Sequence, residues 1–362
     1  MKPEAGLVQR WIRPQIQALK AYHVPPAARL IKLDAMENPY GWPAELKDAW
    51  LEALRSVALN RYPDPTAAEL TAELRLAMQV PPAMQMVLGN GSDELIQMLA
   101  LAVAGGERVV LAPEPTFVMY HMIAEVAGLR YRPVPLADDF GLDADAMRAA
   151  IDVHQPALVF LAYPNNPTGT LFEVRVVEEI IRAAPGLVVV DEAYAPFTDA
   201  SFMSRLEEFP NLLVLRTLSK MGLAGLRLGL LVGPCEWLSE IDKTRLPYNI
   251  NALTQASAAF ALRHKGLLDE QAALIRSDRA RLLQRLSDLK GVETWPSEAN
   301  FILFKVSPGT AERVFTGLRE RGVLIKNLDP VGGRLGDCLR VTVGTPEEND
   351  AFLAALERVL AA

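Results

Sequence analysis

Apolar runs of strand length alternate with amphipathic segments of helix length between about residues 65 and 245 of this 362-residue chain. The apolar runs are ERVVLAP, PALVFLAYP, LVVVDEAY, NLLVLRTL and LRLGLLVG. The segments with helical periodicity are TAAELTAELRLAMQ (with Thr66 as the expected N-cap), SDELIQMLALAVA, TFVMYHMIAEVAG and EVRVVEEIIRAA. Runs that are apolar throughout, such as residues 188–190, are typical of strands buried on both faces. The alternation therefore predicts an α/β fold with a mostly parallel sheet covered by helices on both faces.

The pattern changes after about residue 250, where a long helix-like stretch over residues 252–290 precedes a mixture of strands and helices. The later segments are ANFILFKV, TAERVFTGLRERG, VLIK, CLRVTVG and PEENDAFLAALERVLAA. Such a mixture predicts a second, α+β lobe, as expected for a chain longer than one hydrophobic core usually supports. The predicted organisation is an N-terminal arm (1–30), a large α/β domain (61–249) and a small α+β domain (31–60 and 250–362).

Charge and composition disfavour several classes of protein. The net charge of -7, with no basic cluster, argues against nucleic-acid binding. No apolar run reaches the ~20 residues that span a bilayer, and the N-terminus lacks an apolar signal core, so we expect a cytoplasmic protein. Cys235 and Cys338 are expected to be buried free thiols. Neither they nor the four histidines have the spacing of a metal site, so no metal is predicted.

Glycines precede a predicted helix in VLGNGSDELIQ, where Gly89 and Gly91 come before Ser92 and Asp93. The free N–H groups and the dipole of a helix N-terminus can bind a phosphate. Ser92 could equally be a plain N-cap, and the sequence leaves both interpretations open. The segment matches neither GxGxxG nor GxxxxGK[ST], so the nucleotide-binding fingerprints are absent from it.

Two further segments place polar residues after apolar runs, where ligands bind in open α/β sheets. In LAYPNNPTGT a turn is the simplest interpretation, although Asn166 could present its amide to a ligand oxygen. In LVVVDEAYAPF, Asp191 could cap the following turn or pair with a protonated ring nitrogen. Tyr194 could then offer its phenol to the same ligand.

Lys220 follows an apolar run in LRTLSKMGLAGLRLG and has hydroxyl, glycine and apolar neighbours. A lysine in a partly desolvated pocket has a lowered pKa and acts as an amine nucleophile. Thr217, Ser219 and Arg227 are candidates for binding a phosphate near it. Arg340 lies inside the apolar strand CLRVTVGT and needs an anion, which could be a substrate carboxylate or a structural partner.

Together these residues match the requirements of one cofactor, pyridoxal phosphate. This cofactor needs a lysine that forms a Schiff base, an acid at its pyridinium nitrogen and a site for its phosphate. Lys220, Asp191 and the GNGSDE segment are the candidates for the three roles.

The sequence resembles the fold-type I aminotransferases in the motifs GNGSDE, YPNNPTG, DEAY, TLSK, GLRLG and CLRVTVGT, which occur in this order. Within them it is similar to the histidinol-phosphate aminotransferases, through LDAMENPYG, RYPDP, LPYNIN and ANFILF. The resemblance extends from the arm to about residue 345. It implies the fold-type I architecture of pyridoxal-phosphate-dependent transferases, with pyridoxal 5'-phosphate as the cofactor.

The resemblance implies a role for each matching residue of the cofactor site. Lys220 would carry the cofactor and move a proton between Cα and C4′, and Asp191 would pair with the ring nitrogen. Phe117 would stack on the ring, where many relatives have tyrosine. Tyr194 and Asn166 would hydrogen-bond the cofactor's 3′ oxygen. The cofactor phosphate would be bound by Ser92, Asp93, Thr217, Ser219 and Arg227.

The resemblance also implies contacts with a second subunit and with substrate. Tyr62 would reach the cofactor phosphate of the neighbouring subunit, so a homodimer is expected. Substrate would be bound by Arg340, Lys326, Asn38 and Tyr22. Arg340 would bind an acidic group, which is the phosphate in histidinol phosphate. Lys326 stands where relatives often have an arginine. A lysine can bind a phosphate through its positive charge, but it cannot form the two parallel hydrogen bonds of an arginine. The loop from Lys220 to Arg227 is one residue shorter than in many relatives.

The expected reaction is a ping-pong amino transfer between glutamate/2-oxoglutarate and imidazole-acetol phosphate/histidinol phosphate. Threonine-phosphate decarboxylation and aromatic amino-acid transamination are alternatives on the same scaffold. A cofactor-binding transcriptional regulator is disfavoured, because a DNA-binding helix-turn-helix would have to fit in the roughly 30 residues before the core. A nicotinamide dehydrogenase is disfavoured by the missing glycine fingerprint.

Overall fold

The computed structural model describes residues 5–21 and 29–361. In these ranges the β-strands are β1 (Ile31–Lys32), β2 (Gln85–Gly89), β3 (Val109–Glu114), β4 (Arg130–Pro135), β5 (Leu158–Ala162), β6 (Leu187–Asp191), β7 (Leu212–Thr217), β8 (Gly229–Gly233), β9 (Val292–Thr294), β10 (Phe301–Val306), β11 (Val323–Leu324), β12 (Lys326–Asn327) and β13 (Cys338–Thr342). The α-helices are α1 (Ala5–Trp11), α2 (Pro14–Ala18), α3 (Ala44–Leu54), α4 (Ala68–Ala77), α5 (Ser92–Val103), α6 (Met119–Ala127), α7 (Ala144–His154), α8 (Val174–Ala183), α9 (Cys235–Ile241), α10 (Ala252–Arg263), α11 (Lys265–Ser287), α12 (Ala311–Glu320) and α13 (Pro346–Leu360).

A seven-stranded sheet in the order β2-β8-β7-β6-β5-β3-β4 forms the centre of the molecule. The strands from β7 to β4 are parallel, and β8 runs antiparallel to both of its neighbours. This is the mostly parallel sheet that the alternating pattern predicts. Because parallel strands end at the same edge of a sheet, the residues that follow β5, β6 and β7 lie close together.

Alternate residues of the central strands pack on opposite faces of the sheet. In β6, Val188 and Val190 pack with α4, α7 and α8, whereas Leu187 and Val189 pack with α5, α6 and α9. All four side chains are buried. Helices therefore cover both faces, which explains why these strands are apolar at every position rather than at every second one.

A four-stranded antiparallel sheet in the order β12-β13-β10-β9 packs with α11, α12 and α13 around a second core. Phe301, Phe304 and Phe352 are fully buried in this core. A capping box of Thr345 and Glu348 begins α13. Helix α10 packs against α4 and α3, so the chain after residue 250 contributes to both cores. The predicted domain boundaries stay a prediction.

The segment around residues 31–37 is fixed by the C-terminal part of the chain. Strand β1 pairs in parallel with β11. The Leu33 N–H donates to the Leu324 carbonyl at 2.8 Å, and the Thr342 N–H donates to the Leu33 carbonyl at 2.8 Å. Asn300 Nδ2 donates to the Met36 carbonyl at 3.0 Å, and the Met36 N–H donates to Thr342 Oγ1 at 3.0 Å. The segment thus forms one wall beside the carboxyl edge of the central sheet.

The long helix predicted over residues 252–290 is two helices, α10 and α11. His264 separates them with φ -107° and ψ 26°, outside the helical region. Its ring packs on Phe260, 4.7 Å between centroids. Gly266 follows, and glycine weakens the continuation of a helix.

The expected N-cap at Thr66 is wrong. Ala67 is the N-cap of α4 and makes no side-chain cap. Asp64 takes over this function, because its carboxylate accepts from the backbone N–H groups of Thr66 at 2.9 Å and Ala68 at 2.8 Å.

The two cysteines differ in burial. Cys338 is buried in β13 as expected, but Cys235 is exposed, so the expectation of two buried thiols is wrong for Cys235. Cys235 is the first residue of α9, and Leu238 and Ile241 later in that helix supply its buried face. No group of three or more metal-ligating side chains lies together within residues 5–21 and 29–361. None of the helices in those ranges has the length and apolar character to cross a membrane.

Candidate active site

A cavity of about 400 Å³ lies at the carboxyl ends of β5, β6 and β7. Asn166 follows β5, Asp191 ends β6 and Thr217 ends β7. The residues predicted for the cofactor site that line this cavity are Ser92, Asp93, Phe117, Asn166, Asp191, Tyr194, Thr217, Ser219, Lys220 and Arg227. The parallel sheet therefore brings together polar residues that are far apart in the sequence.

Lys220 lies on a short 3-10 turn directly after β7. Its Nζ donates to the Ala35 carbonyl at 3.4 Å and lies 5.7 Å from the centroid of the Tyr194 ring. Desolvation by burial and, to a smaller extent, the nearby charge of Arg340 lower the pKa of Lys220 to about 8, against the opposing effect of Glu37. At pH 7 about a tenth of the molecules therefore carry the neutral, nucleophilic amine at this position, far more than for a lysine in water.

Asp191 presents a buried carboxylate to the same cavity, and it is 4% exposed. Oδ1 accepts from the Ala193 N–H at 3.0 Å, and Oδ2 accepts from the Tyr120 hydroxyl at 2.6 Å. Burial raises the pKa of Asp191 to about 6, while the hydrogen bonds from Tyr120 and Ala193 oppose this rise. No cationic side chain within the described ranges forms an ion pair with Asp191. The arrangement fits a cationic or proton-donating group of a ligand.

The N-terminus of α5 forms another wall of the cavity. Gly91 is the N-cap, with φ 87°, and as a glycine it has no side chain that could cap the helix. Ser92 is the first helical residue, so its interpretation as an N-cap is wrong. A Cβ on Gly91 would lie 2.5 Å from Arg227 Nη2, so only glycine lets this guanidinium approach the helix N-terminus so closely.

Three side chains complete this corner of the cavity. Arg227 Nη1 donates to Ser219 Oγ at 3.5 Å, and Arg227 Nη2 lies 3.3 Å from Asp93 Oδ2. The Thr217 hydroxyl lies 3.0 Å from Ser219 Oγ. Free backbone N–H groups, two hydroxyls and a guanidinium are together the donor set that binds a phosphate.

Arg340 lies in β13 behind this cavity and is 6% exposed. Its guanidinium lies 5.0 Å from the centroid of the Phe301 ring. Nη1 donates to Asn166 Oδ1, and Nη2 donates to the Asp34 carbonyl at 3.1 Å. Asn166 thereby accepts from Arg340 through its oxygen, which leaves Nδ2 as the group that can donate to a ligand.

Three of the other predicted residues, Tyr62, Lys326 and Asn38, do not line the cavity. Tyr62 is 80% exposed and stacks on Tyr248, 4.5 Å between ring centroids. Lys326 is exposed on β12, directly opposite Arg340 in the sheet register. Asn38 Nδ2 donates to the Met221 carbonyl at 3.2 Å, which ties it to the turn that carries Lys220. Tyr22 lies outside the described residues.

Two polar residues of the cavity are absent from the sequence-based prediction, Glu37 and Tyr120. Glu37 lies in LDAMENPYG, and its Oε2 accepts from Lys32 Nζ at 2.6 Å. Tyr120 lies three residues after Phe117, and in the helix predicted for TFVMYHMIAEVAG this spacing would place the two on one face. The spacing is the one signal in the sequence for Tyr120, and it does not distinguish a site residue from a core residue.

Residues 28–356 match the model of the family described as Aminotransferase class I and II. The chain belongs to this family, whose members depend on pyridoxal phosphate. Among curated proteins it is similar to histidinol-phosphate aminotransferase 2 of Nitrosococcus oceani, with 60% identity over 350 residues and 97% of each chain covered. Histidinol-phosphate aminotransferase 2 of Cupriavidus pinatubonensis is 53% identical over 357 residues, again with 97% of each chain covered.

Solved structures agree with this assignment of the fold. The histidinol-phosphate aminotransferase of Sinorhizobium meliloti, in complex with pyridoxal-5'-phosphate, superposes with a TM-score of 0.86 at 26% identity, over 96% of this chain and 97% of that one. The histidinol-phosphate aminotransferase of Clostridium acetobutylicum has a TM-score of 0.83 at 22% identity, over 91% and 99% of the two chains. The expected fold-type I architecture is confirmed.

Proposed function

We propose that this chain is a histidinol-phosphate aminotransferase, which transfers an amino group between glutamate and imidazole-acetol phosphate with pyridoxal phosphate as its cofactor. The observation that carries the proposal is that a desolvated lysine, a buried carboxylate and a helix N-terminus without a side-chain cap face one cavity. Relatives at 47–60% identity over nearly their whole length carry this name, which supports the choice of substrate.

The polar groups of the cavity fit pyridoxal phosphate. When bound, this cofactor supplies an electron sink for negative charge that develops on the substrate. Lys220, with its lowered pKa, is the amine that would hold the aldehyde carbon and later accept and return a proton. Asp191 is the carboxylate that would face the protonated ring nitrogen. Phe117 would stack on the ring of the cofactor. Tyr194 and Asn166 would both hydrogen-bond its 3′ oxygen.

The corner at the start of α5 fits the cofactor's phosphate. The backbone N–H groups of Ser92 and Asp93 and the positive end of the helix dipole favour a dianion there. Arg227 supplies a full positive charge, and Thr217 and Ser219 supply hydroxyl donors. Because this charge is fixed before a ligand arrives, little reorganisation accompanies binding.

Arg340 and Lys326 are proposed to bind the phosphate of histidinol phosphate. They lie opposite each other on neighbouring strands, so their side chains project from the same face of the sheet. Arg340 provides the bidentate donor and Lys326 a point charge at the exposed rim. Asn38 and Tyr22 remain proposed substrate contacts on the strength of the sequence resemblance.

Two other activities are known on this scaffold, and the spectroscopic experiment below distinguishes them from the proposed one. The L-threonine-O-3-phosphate decarboxylase of Porphyromonas gingivalis shares the fold, with a TM-score of 0.78 at 24% identity. An aromatic amino-acid aminotransferase would use the same cofactor groups. The identities with the histidinol-phosphate aminotransferases favour neither alternative.

The proposed assembly is a homodimer in which Tyr62 reaches the cofactor phosphate of the other subunit. Tyr62 and Leu246 are 80% and 71% exposed, and Tyr62 stacks on Tyr248, which is itself 40% exposed. A cluster of exposed aromatic and aliphatic side chains of this kind is typical of a surface that another protein covers. A cytoplasmic location stays a prediction.

The absorption spectrum of the purified protein tests the proposed function. We expect added pyridoxal phosphate to give the visible absorption of a lysine-bound cofactor, histidinol phosphate to remove it and 2-oxoglutarate to restore it. Lys220→Ala should lose this spectrum and all turnover, whereas Lys243→Ala, at a surface position, should keep both.

Each other outcome corrects a different part of the proposal. A stronger response to phenylalanine would replace the substrate but keep the cofactor and Lys220. Release of carbon dioxide from O-phosphothreonine would change the reaction class. Failure of the protein to bind pyridoxal phosphate would contradict the proposal as a whole.

A further inference from the structure

Tyr120 contacts two of the residues proposed to hold the cofactor ring. Its hydroxyl donates to Asp191 Oδ2 at 2.6 Å. Its ring meets Phe117 edge to face, with centroids 5.5 Å apart and planes at 87°. One buried phenol in α6 therefore links the acid and the aromatic side chain on two sides of the cavity.

The position of Tyr120 is fixed by packing. The side chain is fully buried, and its ring stacks on Phe160 of β5 with centroids 4.5 Å apart and planes at 3°. A stacked, buried ring cannot turn away without opening a void in the core. The hydroxyl is consequently held where it donates to Asp191, whether or not a ligand is present.

The hydrogen bonds to Asp191 leave little freedom to this carboxylate. Ala193 N–H donates to one oxygen and Tyr120 to the other, so the carboxylate plane is fixed from both ends. Hydrogen bonds to the charged form of an acid favour that form, and they do so most in a buried site with a low dielectric constant. Removal of the phenol would therefore make Asp191 a stronger base as well as a more mobile group.

We propose that Tyr120 is a positioning residue that keeps Asp191 ionised and aimed at the ring nitrogen of the cofactor. The inference rests on the proposed function, because it needs pyridoxal phosphate to be the ligand. With the phenol present, Asp191 is a weak enough base that the shared proton stays on the ring nitrogen. Without the phenol, the proton moves toward the carboxylate, and the ring nitrogen becomes neutral.

Cofactor binding to Tyr120→Phe tests the proposal without any measurement of turnover. We expect the affinity for pyridoxal phosphate to fall about tenfold, in line with the loss of a hydrogen bond to a charged group. The affinity for the analogue that has CH in place of the ring nitrogen should change less than about twofold, because Asp191 has no proton to accept from it. An equal loss for both ligands would show that Tyr120 only packs, and no loss for either would also overturn the proposal.

The second measurement locates the proton itself. With pyridoxal phosphate labelled with ¹⁵N in the ring, Tyr120→Phe should move the ¹⁵N signal from the pyridinium toward the neutral position. A residue that only packs would leave this signal unchanged. In an Asp191→Asn background, Tyr120→Phe should have no further effect on the signal, since the two residues act as one unit.

Tyr131→Phe is the matched control. Tyr131 is another buried phenol, but it lies on the edge strand β4 and does not line the cavity. We expect it to leave both affinities and the ¹⁵N signal at their wild-type values. If Tyr120→Phe does not fold, 3-fluorotyrosine at position 120 replaces it. This stronger donor should hold the signal at, or move it further toward, the pyridinium position, and a move toward the neutral position would overturn the proposal.

The failure of this inference is distinct from the failure of the proposed function. If the wild-type protein binds no pyridoxal phosphate, the proposed function is wrong. If the wild type binds the cofactor and Tyr120→Phe leaves the ¹⁵N signal in place, only the role of Tyr120 is wrong.

Discussion

Lys220 illustrates how its surroundings change the chemistry of one residue. In water a lysine amine is almost fully protonated at neutral pH. Burial at the end of β7 and the nearby charge of Arg340 lower its pKa to about 8. The same desolvation that makes Lys220 a nucleophile has a cost in stability, because the folded protein holds a charge that it solvates poorly.

The stability of the apoprotein should reflect this cost. The folded pKa of about 8 lies below the unfolded value near 10.5, so the cost is complete below pH 8 and disappears as the pH rises through 10.5. We expect Lys220→Met to raise the free energy of unfolding at pH 7 by on the order of 2 kcal/mol, with allowance for partial exposure of the side chain. At pH 10 the gain should shrink. Urea unfolding at both pH values measures it.

Lys243→Met is the control for this pH dependence. Lys243 is exposed at the surface, where it pairs with Glu240, so its replacement should change stability little at either pH. A gain from Lys220→Met that is equal at pH 7 and pH 10 would mean that Lys220 titrates normally in the folded protein.

Some of the site residues could be predicted from sequence and others could not, for physical reasons. Asp191 and Lys220 follow buried strands, and a polar residue at that point of an α/β sheet is itself a signal. Tyr120 lies inside an amphipathic helix, where a tyrosine is usually part of the core, and its function depends on a contact with β6. Glu37 reaches the cavity only because distant parts of the chain hold residues 31–37 in place.

At the scale of elements, a buried ion pair joins the ends of β6 and β7. Glu192 follows Asp191, and its side chain is fully buried. Arg216, which precedes Thr217, donates to Glu192 Oε2 from Nε at 2.9 Å and from Nη2 at 2.7 Å. The pair thus fixes the spacing between the strand that ends at the acid and the strand that leads to the lysine.

Breaking this pair on one side should be strongly destabilising. We expect Arg216→Met to lower the free energy of unfolding by about 3–5 kcal/mol, because Glu192 would remain buried without its cation. The double variant Glu192→Met/Arg216→Met should be more stable than Arg216→Met. Urea unfolding monitored by circular dichroism gives both values.

The surface pair of Arg148 and Asp145 provides the comparison, since both side chains are largely exposed. Arg148→Met should cost less than about 1 kcal/mol. If Arg216→Met costs no more than Arg148→Met, the buried pair does not hold β6 and β7 together.

Strand β8 meets the N-terminus of α5 at Gly229. A Cβ at this position would lie 2.7 Å from the backbone nitrogen of Ser92, closer than real contacts allow. We expect Gly229→Ala to displace the start of α5 and to weaken pyridoxal phosphate binding at least tenfold, on the order of 1.4 kcal/mol. Equilibrium titration with the cofactor measures the change.

Gly266→Ala is the matched substitution for Gly229→Ala. A Cβ on Gly266, in α11, would meet nothing within 4 Å. It should leave cofactor affinity unchanged. Wild-type affinity in Gly229→Ala would show that the helix N-terminus tolerates the shift or does not bind the phosphate.

At the scale of the whole molecule, the alternating apolar pattern predicts the central sheet, but not all of its strands. Strand β4 is RYRPVP, with two prolines and few apolar residues, because it lies at the sheet edge and is only partly buried. Strand β2 lies at the other edge and pairs antiparallel with β8, and the alternation of strands and helices does not predict this pairing. Edge strands lack the buried faces that make a strand recognisable in a sequence.

The exposed apolar cluster of Tyr62, Leu246 and Tyr248 gives a prediction about assembly. We expect the wild-type protein to sediment as a dimer of the 39.7 kDa chain. Leu246→Lys should shift it to a monomer, because a charge would be buried at the interface. Analytical ultracentrifugation over a range of concentrations distinguishes the two states.

Val153→Lys is the control for assembly. Val153 is 74% exposed on α7, a position comparable in exposure to Leu246. It should leave the dimer intact. If the wild-type protein is monomeric at micromolar concentration, Tyr62 does not contact the cofactor phosphate of another subunit.

The pairing of β1 with β11 has a consequence for how the protein is made on the ribosome. When α11 has left the exit tunnel, the growing chain already contains Lys220, Asp191 and the start of α5. Strands β11 and β13, which hold residues 31–37, have not yet emerged from the tunnel. Residues 31–37 can therefore close the cavity only after nearly the entire chain has been synthesised. A nascent chain that stops before β11 would carry its nucleophile beside an open, solvated cleft.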